Sequence, residues 1–205
     1  MKLYFAPRTR STRPRWLLEE LGVPYELVRV DLASGAHKHP DYLQHVHPLG
    51  VVPALEDGGQ PVMESTAHLL HLADRFPEKG LAPAPGSLER AEYYQWISFA
   101  VTTLEPRVEA YFEHTQGLPE GQRVPALADR AVQRFTDAAR VLEARLGGRE
   151  FLVGSRFSAA DVLMASLLAW AGMLGLTKDF AGLQAYTKHH LARPAAKRAR
   201  ADSPE

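Results

Sequence analysis

The sequence predicts two halves: an α/β first half and an all-helical second half. Three observations carry this. Strand-length apolar runs alternate with a helical pattern before residue 66. A breaker-rich stretch follows, with Pro77, Gly80, Pro83, Pro85 and Gly86. Beyond it, strand signals vanish and only long helical periodicity remains.

The elements follow in order. Residues 2–6 are short, apolar and bounded by Pro7, which reads as a buried strand. After the polar loop Arg8-Thr9-Arg10, Ser11 or Thr12 can cap a helix, with Pro14 tolerated in its first turn. Trp16, Leu17, Leu18 and Leu21 give that helix its apolar side; Gly22 stops it and Pro24 follows. Residues 25–31 form the second strand, closing a right-handed βαβ unit within about thirty residues. Residues 31–47 are polar, with a short helix expected near 40–44. Residues 54–56 and 60–63 form a hairpin about Asp57-Gly58-Gly59, since glycine takes positive φ at no steric cost. Ser65 is the expected N-cap of a helix from Thr66 to about Arg75.

In the second half, residues 87–114 read as one long aromatic-rich helix kinked at Pro106. A second helix ends at Gly147, with Leu127, Phe135, Ala139, Leu142 and Leu146 facing inward. Ser158 and Asp161 form a capping box before the apolar run 162–174, the expected centre of this half. One more helix spans 180–190, and residues 194–205 read as a solvated basic tail.

Composition narrows the function. Lys plus Arg and Asp plus Glu are both 24, so neither nucleic acid nor an acidic membrane is an expected partner. There is no cysteine, so any thiol chemistry must use a ligand's thiol. The N-terminus lacks a signal-peptide apolar core and no run is long enough to span a membrane, which reads as a cytoplasmic chain. The histidine pairs 37/39, 45/47 and 68/71 lack a supporting metal motif, so no metal is expected.

Two features point to a peptide-like ligand. The helix start behind Glu64 and Ser65 presents free N–H groups and a positive dipole end, which suits a carboxylate. A cis Val52-Pro53 bond would turn the Val52 N–H and C=O toward an extended peptide. The order Pro48-Leu49-Gly50, Val52-Pro53, hairpin, Glu64-Ser65, helix resembles the glutathione-binding half of the cytosolic glutathione transferases, in a bacterial, theta/beta-like form. In that family the matching bond is cis. The Ser158–Asp161 segment is similar to the capping box of the family's helical domain.

The resemblance implies a thioredoxin-like glutathione-binding domain (1–78), a linker (79–86) and an all-helical bundle domain forming an electrophile pocket (87–205). It implies a glutathione S-transferase in which glutathione, as co-substrate, attacks a small hydrophobic electrophile, and a homodimer with a detoxifying role. Glutathione's thiol has a pKa near 8.5, so a hydroxyl donor, a helix N-terminus and positive charge would favour the reactive thiolate. Ser11 matches the position that touches the sulfur; Thr9 is the alternative donor and Arg10 an electrostatic helper. Val52, with Pro53, matches the residue whose backbone pairs with the cysteinyl group, Glu64 and Ser65 the pair that holds the γ-glutamyl end, and His37 a basic group for the glycine carboxylate. Val51 and His47 stand where a basic residue and asparagine are common. Rival readings are a non-catalytic glutathione-binding protein on the same fold and a glutathione-dependent isomerase or dehalogenase.

Overall fold

The apolar runs of the first half pair into one four-stranded sheet: β1 (Lys2–Phe5), β2 (Glu26–Arg29), β3 (Ala54–Asp57) and β4 (Gln60–Val62), in the order β2-β1-β3-β4. β1 pairs parallel with β2 and antiparallel with β3, and β3 pairs antiparallel with β4. This is a computed structural model, and it describes residues 1–201. The turn between β3 and β4 uses Gly58 and Gly59 at φ 59° and 81°, a combination that only glycine adopts at no steric cost. Pro61 falls on an edge strand, where its missing N–H breaks no inner ladder.

α1 (Thr12–Leu21) joins β1 to β2 and ends on Gly22 at φ 66°, whose N–H donates to the Leu18 carbonyl at 3.1 Å. Ser11 does not cap it: its backbone is already helical and its side chain makes no cap hydrogen bond. α2 (Pro40–His45) is the expected short helix. α3 (Ser65–Arg75) packs on α1. It begins one residue earlier than expected, with Ser65 as its first residue and Glu64 as the flanking one. Leu3, Leu17, Leu18, Leu55, Leu69 and Leu72, all fully buried, form the core of this unit.

The chain clusters into two units, and residues 192–201 belong with residues 1–82, not with the helical unit Pro83–Leu191. The expectation of a second domain over 87–205 and of a solvated tail is corrected here. Residues Pro194–Arg200 form a helix (α9 below) that buries Ala195, Ala196 and Ala199 and packs on α1. Arg193 donates from Nε and Nη2 to Glu20 at 2.6 and 2.8 Å, Arg198 Nε donates to Glu19 at 2.6 Å, and Arg15 Nη1 donates to the Ala201 carbonyl at 2.9 Å. Residues 202–205 of the expected tail lie outside the described residues.

The second unit is built of α4 (Leu88–Ser98), α5 (Glu105–Phe112), α6 (Pro125–Leu146), α7 (Ala159–Met173) and α8 (Ala181–Leu191), and α9 (Pro194–Arg200) completes the helices of the chain's described part. The expected long helix is α4 and α5 joined through a π-helical segment, Phe99–Leu104, with a second one at Glu113–Gly117. Pro106 lies just past the first, where its missing N–H would interrupt an α-helical ladder. α6 buries Phe135, Ala139, Leu142 and Leu146, but Leu127 is 41% exposed. Eight residues before Phe135, it lies about 80° around the helix and off the buried stripe. Asp161 seats α7: its Oδ2 accepts from the Ser158 N–H at 2.9 Å, and its Oδ1 from the Leu152 N–H at 2.8 Å and the Tyr186 hydroxyl at 2.7 Å. Burial pushes the pKa of Asp161 up, and these bonds oppose that shift.

Candidate functional site

The sheet's register brings four distant segments to one end of the strands. Phe5 pairs with Arg29, Tyr4 with Ala54, and Leu55 with Val62. β1 and β2 therefore end where β3 begins and β4 ends. The loop 6–11, the turn 36–38, the Val52-Pro53 dipeptide and the Glu64-Ser65 elbow all leave the sheet on that side.

The Val52-Pro53 bond is cis, and Pro53 is buried while Val52 is half-buried. Tyr42 supports this loop from below by donating its hydroxyl to the Val51 carbonyl at 2.8 Å. Upstream, Gly50 at φ 59° packs so closely on the 36–38 turn that a Cβ would lie 2.5 Å from the His37 carbonyl. Lys38 Nζ donates to the Leu49 carbonyl at 2.9 Å, which leaves His37, half-buried, as the neighbouring basic side chain. His47 is 3% exposed, accepts the Leu49 N–H at Nδ1 (3.2 Å), and has its pKa lowered by burial.

At the elbow Glu64 is exposed with φ 69°, an uncommon conformation for a side-chain-bearing residue, of the kind found where structure serves a site. His68 holds it from one turn into α3. Its backbone N–H donates to the Glu64 carbonyl at 3.0 Å, and its Nε2 bonds the Val62 carbonyl at 2.6 Å. The ring is fully buried, and that burial lowers its pKa to about 4, so the neutral, Nε2-protonated form is the one that donates. The first turn of α3 carries no side-chain cap hydrogen bond, so its N–H groups and positive dipole end are available to an anion beside Ser65. Ser65 is 8% exposed, and its Oγ accepts from Arg13 Nη1 at 3.4 Å.

The two candidate hydroxyls are placed unequally. Ser11 is fully buried; its Oγ accepts the Ala6 N–H at 3.2 Å and lies 3.4 Å from the Ala6 carbonyl. Thr9 is half-buried; its Oγ1 contacts the Ser11 hydroxyl, accepts the Ser11 N–H at 3.2 Å and lies 2.8 Å from the same carbonyl. Arg8, at φ 59°, turns the chain into this loop, and Arg8 and Arg10 are exposed on it. Ser11 thus knits the loop from inside, and Thr9 is the hydroxyl nearer solvent. The sequence pattern alone did not show which of the two is sealed. No group of three or more His, Cys, Asp or Glu side chains able to hold a metal occurs among the described residues.

Comparison with known proteins adds a family. The model for the glutathione S-transferase N-terminal domain matches residues 1–74, and that for the C-terminal domain residues 101–194. Glutathione S-transferase GST-4.5 of Xanthomonas campestris pv. campestris is 32% identical over 185 residues, 90% of this chain and 88% of its own. The disulfide-bond oxidoreductase YfcG of Escherichia coli is 32% identical over 167 residues, 78% of this chain and 75% of its own. A solved sphingomonad glutathione S-transferase complexed with glutathione matches with a TM-score of 0.84 and 32% identity, over 98% of this chain and 97% of that one.

Proposed function

This chain belongs to the glutathione S-transferase family, and from that premise we propose that it is a glutathione transferase that activates glutathione's thiol for attack on a small hydrophobic electrophile. The observation that carries the reading is the meeting, at one end of the sheet, of the uncapped helix start at Glu64 and Ser65 with the Val52-Pro53 loop.

The residues divide the ligand among them. The Glu64 carboxylate meets the γ-glutamyl amine, and the Ser65 hydroxyl with the first N–H groups of α3 meets its carboxylate. The Val52 backbone pairs with the cysteinyl group, and His37 faces the glycine carboxylate. At the sulfur, the Ala6 carbonyl is within reach of both hydroxyls, at 2.8 Å from Thr9 and 3.4 Å from Ser11. With Ser11 donating to Thr9, the Thr9 proton can turn from that carbonyl toward the ligand. A hydrogen bond to the charged form, together with the exposed Arg8 and Arg10, lowers the thiol pKa. The thiolate then attacks the electrophilic carbon: a C–S bond forms, the bond to the leaving group breaks, and the thiol proton passes to solvent.

A first domain over 1–78, which holds glutathione, and a helical domain that shapes the electrophile pocket fit this division, and family membership supports the homodimer, the cytoplasmic location and a detoxifying role. The engagement of both hydroxyls with Ala6 favours one second reading, a chain that holds glutathione without activating it. Calorimetric titration with glutathione, followed by an assay with a chlorinated dinitroarene, tests both. Saturable binding and conjugation support the transferase, binding without conjugation supports the second reading, and no binding by folded protein removes both.

A further inference from the structure

His47 opens a β-turn. The Gly50 N–H donates to the His47 carbonyl at 2.8 Å, with Pro48 and Leu49 between them. The first place of such a turn favours Asn, Asp and Ser, whose side chains accept the N–H two residues on. Here an imidazole fills that role: Nδ1 accepts the Leu49 N–H at 3.2 Å, and the residue is 3% exposed. Lys38 Nζ holds the Leu49 carbonyl at 2.9 Å. From Gly50 the chain runs through Val51, whose carbonyl Tyr42 holds at 2.8 Å, directly to Val52.

An amide oxygen in the place of the ring would accept at any pH, whereas Nδ1 accepts only while it carries no proton. The neutral ring therefore keeps its proton on Nε2. A second proton would go to Nδ1 and face the Leu49 N–H, donor against donor. The bond would be lost, and the new charge would repel Lys38, which holds the same residue. Lys38 from the 36–38 turn, Glu64 from the elbow and His68 from α3 are the charged and titratable groups that interact with the ring. Burial lowers its pKa, Glu64 opposes that shift and Lys38 adds to it. Of the three groups, Glu64 is the one that attracts a protonated ring, and in the reading above the γ-glutamyl amine meets that carboxylate.

We propose that His47 is a positioning residue for the cysteinyl part of glutathione and couples its binding to a proton: the neutral ring holds the 47–50 turn in the shape that presents Val52, and a proton on Nδ1 releases it. The inference rests on the glutathione reading above. The coupling is reciprocal, so bound glutathione drives the proton off the ring. The ligand does this twice over, by holding the turn and by neutralising Glu64.

The test is calorimetric titration with glutathione at pH 7.5 and pH 5 on the wild type, His47→Asn and His47→Ala. A nuclear magnetic resonance titration of the His47 ring, with and without glutathione, accompanies it. Asn keeps an acceptor for the Leu49 N–H and does not titrate; Ala has no acceptor. At pH 7.5 His47→Ala binds about fivefold more weakly, the worth of one hydrogen bond, and His47→Asn recovers most of that loss. From pH 7.5 to pH 5 the wild type loses affinity, and the loss in His47→Asn is about threefold smaller. In a His68→Gln background His47→Asn still shrinks the loss, which separates this ring from His68. The ring signal, assigned by its disappearance in His47→Asn, titrates at lower pH in the bound protein than in the free one. An equal acid loss in wild type and His47→Asn overturns the proposal, as does a ring that titrates at the same pH with and without glutathione. If His47→Ala does not fold, the ring titration of the wild type decides. A wild type that binds no glutathione at pH 7.5 removes the glutathione reading and this proposal with it. That outcome is distinct from wild-type binding whose pH dependence His47→Asn leaves intact.

Discussion

Thr9 and Ser11 share one acceptor: the Ala6 carbonyl lies 2.8 Å from Thr9 Oγ1 and 3.4 Å from Ser11 Oγ, and the two hydroxyls contact each other. Their two protons serve two bonds, one to the buried carbonyl and one between the hydroxyls. Ser11 is sealed inside the loop and Thr9 is not, so Thr9 is the hydroxyl placed to turn toward a ligand.

Thr9→Ala should move the pH of half-maximal conjugation upward by about one unit, because a lost hydrogen bond to the thiolate raises its pKa. Thr9→Ser should keep the wild-type profile. Ser11→Ala should act mainly on stability, costing about 1–3 kcal/mol, since the buried Ala6 N–H loses its acceptor. A pH–rate series on the three variants decides the assignment. A shift with Ser11→Ala and none with Thr9→Ala makes Ser11 the donor, and no shift in either strengthens the non-catalytic reading.

Glu64→Ala with Ser65→Ala should weaken glutathione binding at least about tenfold, since both side chains proposed to hold the γ-glutamyl end are gone and charged hydrogen bonds contribute roughly 1.5–3 kcal/mol each. The variant should fold, because Glu64 is exposed and the helix start has no side-chain cap to lose. Unchanged affinity by calorimetry in a folded variant would take this elbow out of the site.

The parts that were legible in the sequence are those set by local chemistry. Apolar runs of strand length, the Asp57-Gly58-Gly59 turn and the stop at Gly22 each follow from a few neighbouring residues. The sealed position of Ser11 was not legible, because it depends on Arg8 at positive φ folding the loop back onto Ala6. The π-helical segment at Phe99–Leu104 leaves every residue helical, and no residue type in it marks the change of hydrogen-bond pattern. α9 is short, alanine-rich and basic, the composition of a solvated end, and the carboxylates that hold it, Glu19 and Glu20, lie more than 170 positions upstream. The positive φ of Glu64 likewise depends on His68 and the end of β4, and no residue at the elbow itself announces it.

Glu20→Gln should lower stability by about 1–2 kcal/mol, measured as a lower melting temperature. Glu20 is the shared acceptor for both Arg193 bonds and for Trp16 Nε1 at 2.9 Å. The figure is held down because the Arg193 side chain is 31% exposed and can rehydrate. Truncation before Ala192 should cost more, because it also uncovers the face of α1 on which Ala195, Ala196 and Ala199 pack. A truncated chain as stable as the full one would show that α9 is a passenger on α1.

Acid should loosen the Glu64-Ser65 elbow before it unfolds the rest of the first unit. His68 has a folded-state pKa lowered to about 4 by burial, against an ordinary value of 6.5 in the unfolded chain. Between those two values the unfolded chain binds a proton that the folded chain excludes, so stability falls as pH drops through that window and is insensitive to His68 above it. The full effect is about 3 kcal/mol, reached near pH 4. His47, also lowered by burial, adds to the loss in the same direction. Protonating His68 places a charge beneath the elbow, where its Nε2 bond to Val62 and its N–H bond to Glu64 hold the helix start. Glutathione affinity should therefore fall over the same interval. His68→Gln keeps an N–H donor for the Val62 carbonyl but cannot titrate. Urea unfolding and glutathione titration at pH 7.5 and pH 5 should show a smaller drop in the variant than in the wild type. Equal drops in both proteins would mean that His68 is not the group that responds to acid.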